Sequence, residues 1–192
     1  MPKGNIKIAA LALPMIAGLV MTTSQPASAQ EAQASSARSQ VSWALKDLDP
    51  LLIEGNRIAD EGDRLDDWQR RLQASERNID TDIYNFNSHC TGGRWANPCR
   101  GWQRKIDNWK AGFERELRDL NQQHDELSQR SERLQGRIEQ KRMRLMDNVG
   151  RLLTACRAMP AAQRGQICTI PNVGRYTGKY VKEARNRLRA GL

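Results

Sequence analysis

Apolar residues recur along this chain at a spacing that few folds use. Leu51, Ile58, Leu65, Leu72 and Ile79 follow one another every seventh residue, with Trp68, Ile83 and Phe86 joining the same stripe. A strict repeat of seven predicts a coiled-coil seam, because a globular helix shows a broader apolar face. Asp49-Pro50 just ahead of the stripe reads as an N-cap with proline at the first helical position, so a helix is expected to start at Pro50. Before it, Val41, Leu45 and Leu48 mark a short amphipathic segment.

A second, longer stripe follows Cys99. From Arg100 to Ala158 there is no proline, and Trp102, Ile106, Trp109, Phe113, Leu117, Leu120, Leu127, Leu134, Ile138, Leu145, Val149 and Leu152 step mostly by threes and fours. His124 and Ser131 interrupt the stripe. At 1.5 Å per residue this helix spans roughly 85 Å, too long for a compact core.

The segment between the stripes, SHCTGGRWANPCR, holds Gly92-Gly93 and Asn97-Pro98, which turn a chain. Folding the stripes back on each other about it pairs positions whose numbers sum to about 189, so that Ile83 faces Ile106, Leu72 faces Leu117, Ile58 faces the 127–131 turn and Leu51 faces Ile138. Charge supports the same pairing. Residues 30–89 carry seven basic and twelve acidic side chains, net minus five, and residues 100–157 carry fourteen and nine, net plus five. Flanking charges of opposite sign select a coiled-coil partner. Gly55, Ala59 and Gly62 lie beside the seam, where small residues let a partner helix approach. The expected fold is therefore all-α, an elongated antiparallel helical hairpin over 41–158 with its tip loop at 90–99.

The N-terminus bears on how the cysteines are read. Lys3 and Lys7 precede the apolar run IAALALPMIAGLV and the small-residue site Ala27-Ser28-Ala29, the three-part pattern of a secretory signal peptide over 1–29. The run is short of the ~20 residues of a bilayer span. Export with cleavage near Ala29 is expected, to a periplasm or the exterior. Residues 30–40, small and polar, are expected to form a flexible leader. In an oxidising compartment the four cysteines read as two disulfides. Cys156 is 57 positions beyond Cys99 on one helix, so it reaches only Cys168, and Cys90 pairs with Cys99 at the tip.

Beyond Pro160, residues 159–192 form a disulfide-closed turn and a tail. Arg175, Lys179, Lys182, Arg185, Arg187 and Arg189 stand there against Glu183 alone, and Tyr176, Tyr180, Val181, Ala184 and Leu188 recur at helical spacing. The tail is expected to be a basic amphipathic helix, suited to an anionic envelope surface or an envelope protein, or to covering the open end of the hairpin. Arg94 and Trp95 at the tip are the residue types that most often anchor interfaces.

Catalytic chemistry finds little support. The two histidines, His89 and His124, lie far apart, and a histidine at a seam position usually sets register. No phosphate loop, dinucleotide fingerprint or zincin motif occurs, and neither a metal nor a cofactor is expected. Without Lys3 and Lys7 the basic excess is 29 over 22, but export argues against a physiological nucleic-acid partner. The expectation is a non-catalytic structural or adaptor module of the cell envelope. The alternatives are a periplasmic holdase chaperone and a protein binding anionic lipid or lipopolysaccharide. Homodimerisation through leftover seam residues such as Val149, Leu152 and Leu153 stays open.

Overall fold

The computed structural model describes residues 27–90 and 97–192. Among them there is no strand; the order is α1 (Ala27–His89), α2 (Asn97–Ala158), a single 3-10 turn (Ala161–Gln163), α3 (Arg164–Ile167) and α4 (Gly178–Gly191). Helices α1 and α2, 63 and 62 residues long, lie against each other as an antiparallel hairpin. At 1.5 Å per residue each is about 95 Å long.

The seam is the one that the sevens mark. Leu51, Ile58, Leu65, Leu72, Ile79 and Phe86 are all buried, each at 9% exposure or less. Along the shaft they form separate small clusters, Leu51 and Ile58 with Leu134, and Leu65 and Leu72 with Leu120. The register agrees with the expected one: Gly55 lies opposite Leu134 and Gly62 opposite Leu127, pairs that each sum to 189. One detail differs. Leu117, expected to face Leu72, is 38% exposed, and Leu120 takes the buried place.

The flanking charges pair as their segregation implies. Glu61 with Arg130, Glu54 with Arg137 and Asp47 with Lys141 bridge the helices at 2.9, 3.4 and 2.7 Å, each acid on α1 and each base on α2. These pairs are largely solvated, so they specify partner and register more than they stabilise.

Two expectations near the N-terminus are corrected. The stretch 30–40 is helical rather than a flexible leader, and α1 runs without a break through Pro50. Packing explains the first point: Ala34 and Ala37 continue the face of Val41, Leu45 and Leu48 and are buried in the main core. A small side chain has little apolar surface, so its burial is hard to read from composition. Pro50 is itself exposed, and its missing N–H removes one intrahelical bond from a helix whose two flanks are packed. Residues 1–26, most of the expected signal peptide, lie outside the described residues.

At the open end the hairpin thickens. Chain reversal at Pro160 brings α3 and α4 back, and Tyr180, Val181, Ala184 and Leu188 of α4 join Val41, Leu45 and Leu48 of α1 and Leu145, Val149 and Leu152 of α2 in one core. Here the fully buried large side chains concentrate, Leu45, Leu48, Leu145, Leu152 and Met159 among them. This base is the stable body of the molecule, because a two-helix shaft buries only one stripe per helix.

Candidate functional site at the two ends of the hairpin

At the tip the helices are joined by the Cys90–Cys99 disulfide, with Cα atoms 5.9 Å apart. Beneath it the ring of Trp102 meets Phe86 edge-on at 6.0 Å between centroids and His89 at 6.3 Å. Nδ1 of His89 lies 2.8 Å from the carbonyl oxygen of Asn85. The tip residues Arg94 and Trp95 lie outside the described residues. His124 sits far down the shaft, half-buried, so the structure does not bring the two histidines together.

At the base the second disulfide, Cys156–Cys168, again with Cα atoms 5.9 Å apart, closes the turn between α2 and α3. Both bridges are the pairs that helix geometry selects. Around this turn arginines act as backbone clips. Arg164 donates from Nε to the Met159 carbonyl at 2.9 Å, Arg157 to that of Gly191 at 2.7 Å, and Arg38 to that of Thr169 at 3.3 Å. The carbonyls of Met159 and Gly191, at the C-terminal ends of α2 and α4, lack intrahelical partners, and the guanidinium groups supply them.

The tail helix is held by two polar contacts that the sequence reading did not anticipate. Asp49, expected to cap a helix starting at Pro50, instead accepts a hydrogen bond at 2.9 Å from the backbone N–H of Tyr176. That bond fixes the loop whose left-handed residue is Gly174, at φ 87°. A Cβ on Gly174 would come within 2.8 Å of Asp49 Oδ1 and of Thr177 Cγ2, so glycine is needed both for the conformation and for space. The second contact is Arg142 on Glu183, which accepts from Nε at 3.2 Å and also from Nη2, while Glu139 accepts from Nη1 at 2.8 Å. The hydrogen bond from Arg142 holds the Glu183 carboxyl below the usual carboxylate range, against desolvation, which acts the other way. Burial pushes the Tyr180 hydroxyl up.

Of the six basic tail residues, Arg175, Lys179, Lys182, Arg187 and Arg189 are exposed, and Arg185 is half-buried with its guanidinium on the Ile170 carbonyl at 3.2 and 3.4 Å. The apolar face of α4 packs on the hairpin, and its basic face is turned outward. Trp43, which sequence periodicity leaves off the buried face of α1, is 66% exposed, and the Lys46 ammonium lies 5.2 Å from its ring centroid. Tyr176 is 40% exposed, with the Arg175 guanidinium 5.4 Å from its ring.

Charge is divided between the two parts of the molecule. The base, residues 27–50 and 141–192, carries fourteen basic and five acidic side chains, net plus nine. The shaft, residues 51–90 and 97–140, carries fourteen and seventeen, net minus three. Along the shaft the open hollows are shallow; one of about 340 Å³ beside Ile79 and Phe113 is lined by Ser75, Asn78, Asn108 and Trp109. Among the described residues no group of three or more histidine, cysteine or acidic side chains is placed to hold a metal ion. Nor is any helix there long and apolar enough to cross a membrane.

No protein family, no curated protein and no solved structure matches this chain.

Proposed function

We propose that this protein is an exported, non-catalytic structural or adaptor module of the cell envelope, a rod that carries one binding surface at its disulfide-closed tip and another at its basic base. The observation that carries this reading is the separation of the two ends. Cys99 and Cys156 are 57 residues apart on one uninterrupted helix, about 85 Å. Each end is closed by its own disulfide, and the interhelix ion pairs fix the register of the shaft between them. Two disulfides in a small, highly charged chain fit an oxidising compartment, as does the N-terminal pattern over 1–29.

Site-specific photo-crosslinking in cells tests the reading, with probes at Trp95 in the tip and at Lys182 in the base. A dominant adduct at each position, different at the two, is the expected result; the absence of an adduct at either position would refute the two-ended adaptor reading.

A second reading, a holdase chaperone, draws support from the partly exposed apolar residues of the shaft, Trp109 at 41% and Leu117 at 38%. Such a protein needs a broad apolar surface for unfolded chains. It predicts a smear of many adducts from a probe at Leu117, where the adaptor reading predicts none.

A further inference from the structure

The base carries a strip of aromatic and basic side chains in two groups, Trp43 with Lys46 on α1 and Arg175, Tyr176, Lys179 and Lys182 in the tail, linked through Asp49. Trp43 and Lys46 are three residues apart on α1 and in contact; Asp49 follows three residues later and holds the N–H of Tyr176. Residues three apart on a helix are surface neighbours, so Trp43, Lys46 and Asp49 step around the surface of α1, and Asp49 reaches the tail. There Arg175 lies over Tyr176, and Lys179 and Lys182 follow at successive turns, both exposed. The acids closest to this strip are already engaged: Asp49 by the Tyr176 N–H, Asp47 by Lys141 and Glu183 by Arg142.

We propose that this strip, Trp43, Lys46, Arg175, Tyr176, Lys179 and Lys182, docks the base of the rod on an anionic phospholipid surface. The proposal rests on the two-ended binding module argued above and names the partner of one end. Three features favour it. The net charge of plus nine at the base, against minus three along the shaft, orients the rod with its base toward a negative plane and its shaft away from it. Tryptophan and tyrosine flanked by lysine and arginine are the residue types that settle at the headgroup level, with apolar rings inward and charges on the phosphates. The Trp43 ring, 66% exposed on a helix packed by its opposite face, meets the Lys46 ammonium 5.2 Å from its centroid and keeps the rest of its apolar surface in solvent. A single nucleic-acid strand also stacks bases on aromatic rings, but a cation lies over one face of Trp43 and of Tyr176, which leaves each ring at most one open face.

Co-sedimentation of the purified, disulfide-bonded protein with vesicles tests the proposal. Vesicles containing phosphatidylglycerol are expected to bind it, and pure phosphatidylcholine vesicles are not. Combined Lys46→Glu, Lys179→Glu and Lys182→Glu is expected to weaken binding by roughly tenfold or more. Trp43→Ala is expected to weaken it severalfold without a change in helicity, because the side chain is mostly in solvent. The shaft reversal Arg133→Glu is the control and should leave binding unchanged. Equal binding to both kinds of vesicle, equal loss from the shaft control, or tighter binding to a single-stranded oligonucleotide than to the anionic vesicles would each overturn the proposal. The two readings fail separately: if vesicles do not bind but the crosslinks at Trp95 and Lys182 still name distinct proteins, the adaptor stands and the lipid surface falls. If vesicles bind and the tip yields no adduct, the lipid surface stands and the two-ended adaptor falls.

Discussion

Gly55 lies directly opposite Leu134 across the hairpin seam, and a Cβ placed on Gly55 would sit 3.7 Å from Leu134 Cδ2, an ordinary van der Waals contact. Gly62 stands in the same relation to Leu127. The helices therefore do not need glycine for close approach at either position. Gly55→Ala and Gly62→Ala should each stabilise the protein by about 0.5 to 1 kcal/mol, because alanine removes the helix-interior cost of glycine and adds a contact. Thermal unfolding followed by circular dichroism checks this; a fall in Tm would mean that the helices lie closer than this register allows.

Gly174 is the opposite case. Its φ of 87° and the 2.8 Å approach of Asp49 Oδ1 leave no room for a side chain. Gly174→Ala is expected to cost about 2 kcal/mol and to release the tail from Asp49. Hydrogen exchange should show the change at the Tyr176 amide first, and unaltered protection there would contradict the assignment.

The two disulfides should differ in what they stabilise. Cys156→Ala with Cys168→Ala opens the turn against the main core, and the chain-entropy picture gives a loss of about 3 kcal/mol. Cys90→Ala with Cys99→Ala is expected to fray the tip while leaving protease resistance of the base unchanged, since the base core contains neither residue. Limited proteolysis of the two double variants separates these outcomes.

Acid should loosen the tail through Glu183. Its carboxyl is lowered by the hydrogen bond from Arg142, so the pair contributes stability above the ordinary carboxylate pKa of about 4 and loses it as the pH falls through the lower, folded value. Wild type should therefore exceed Glu183→Gln in stability at pH 7, and the two should converge once the pH falls below the lowered, folded-state value. A difference independent of pH would show that the contact acts only by packing.

Much of the fold was legible because a seven-residue repeat states both the helix and its partner face. Leu51 to Ile79 mark the seam, and the opposite charges of the two segments set the pairing that Glu54, Glu61 and Asp47 then make. The disulfides followed from distance along one helix. What escaped was written in weaker signals. Ala34 and Ala37 carry too little apolar surface to stand out in a polar stretch, and they are buried in a core that α2 and the returning α4 complete at that end. Asp49-Pro50 has the form of a helix start, yet the aspartate serves a loop more than a hundred residues later, which no local rule encodes. The tail was legible as an amphipathic helix; that its apolar face packs on the hairpin while its basic face stays outward depends on the core available at the base.

The molecule is a rod whose two ends stand far apart, a length that small-angle X-ray scattering of the purified, disulfide-bonded protein resolves. A maximum dimension of at least about 95 Å with a thicker cross-section at one end is expected. A compact particle near 50 Å across, the size expected of a globular chain of this length, would contradict it.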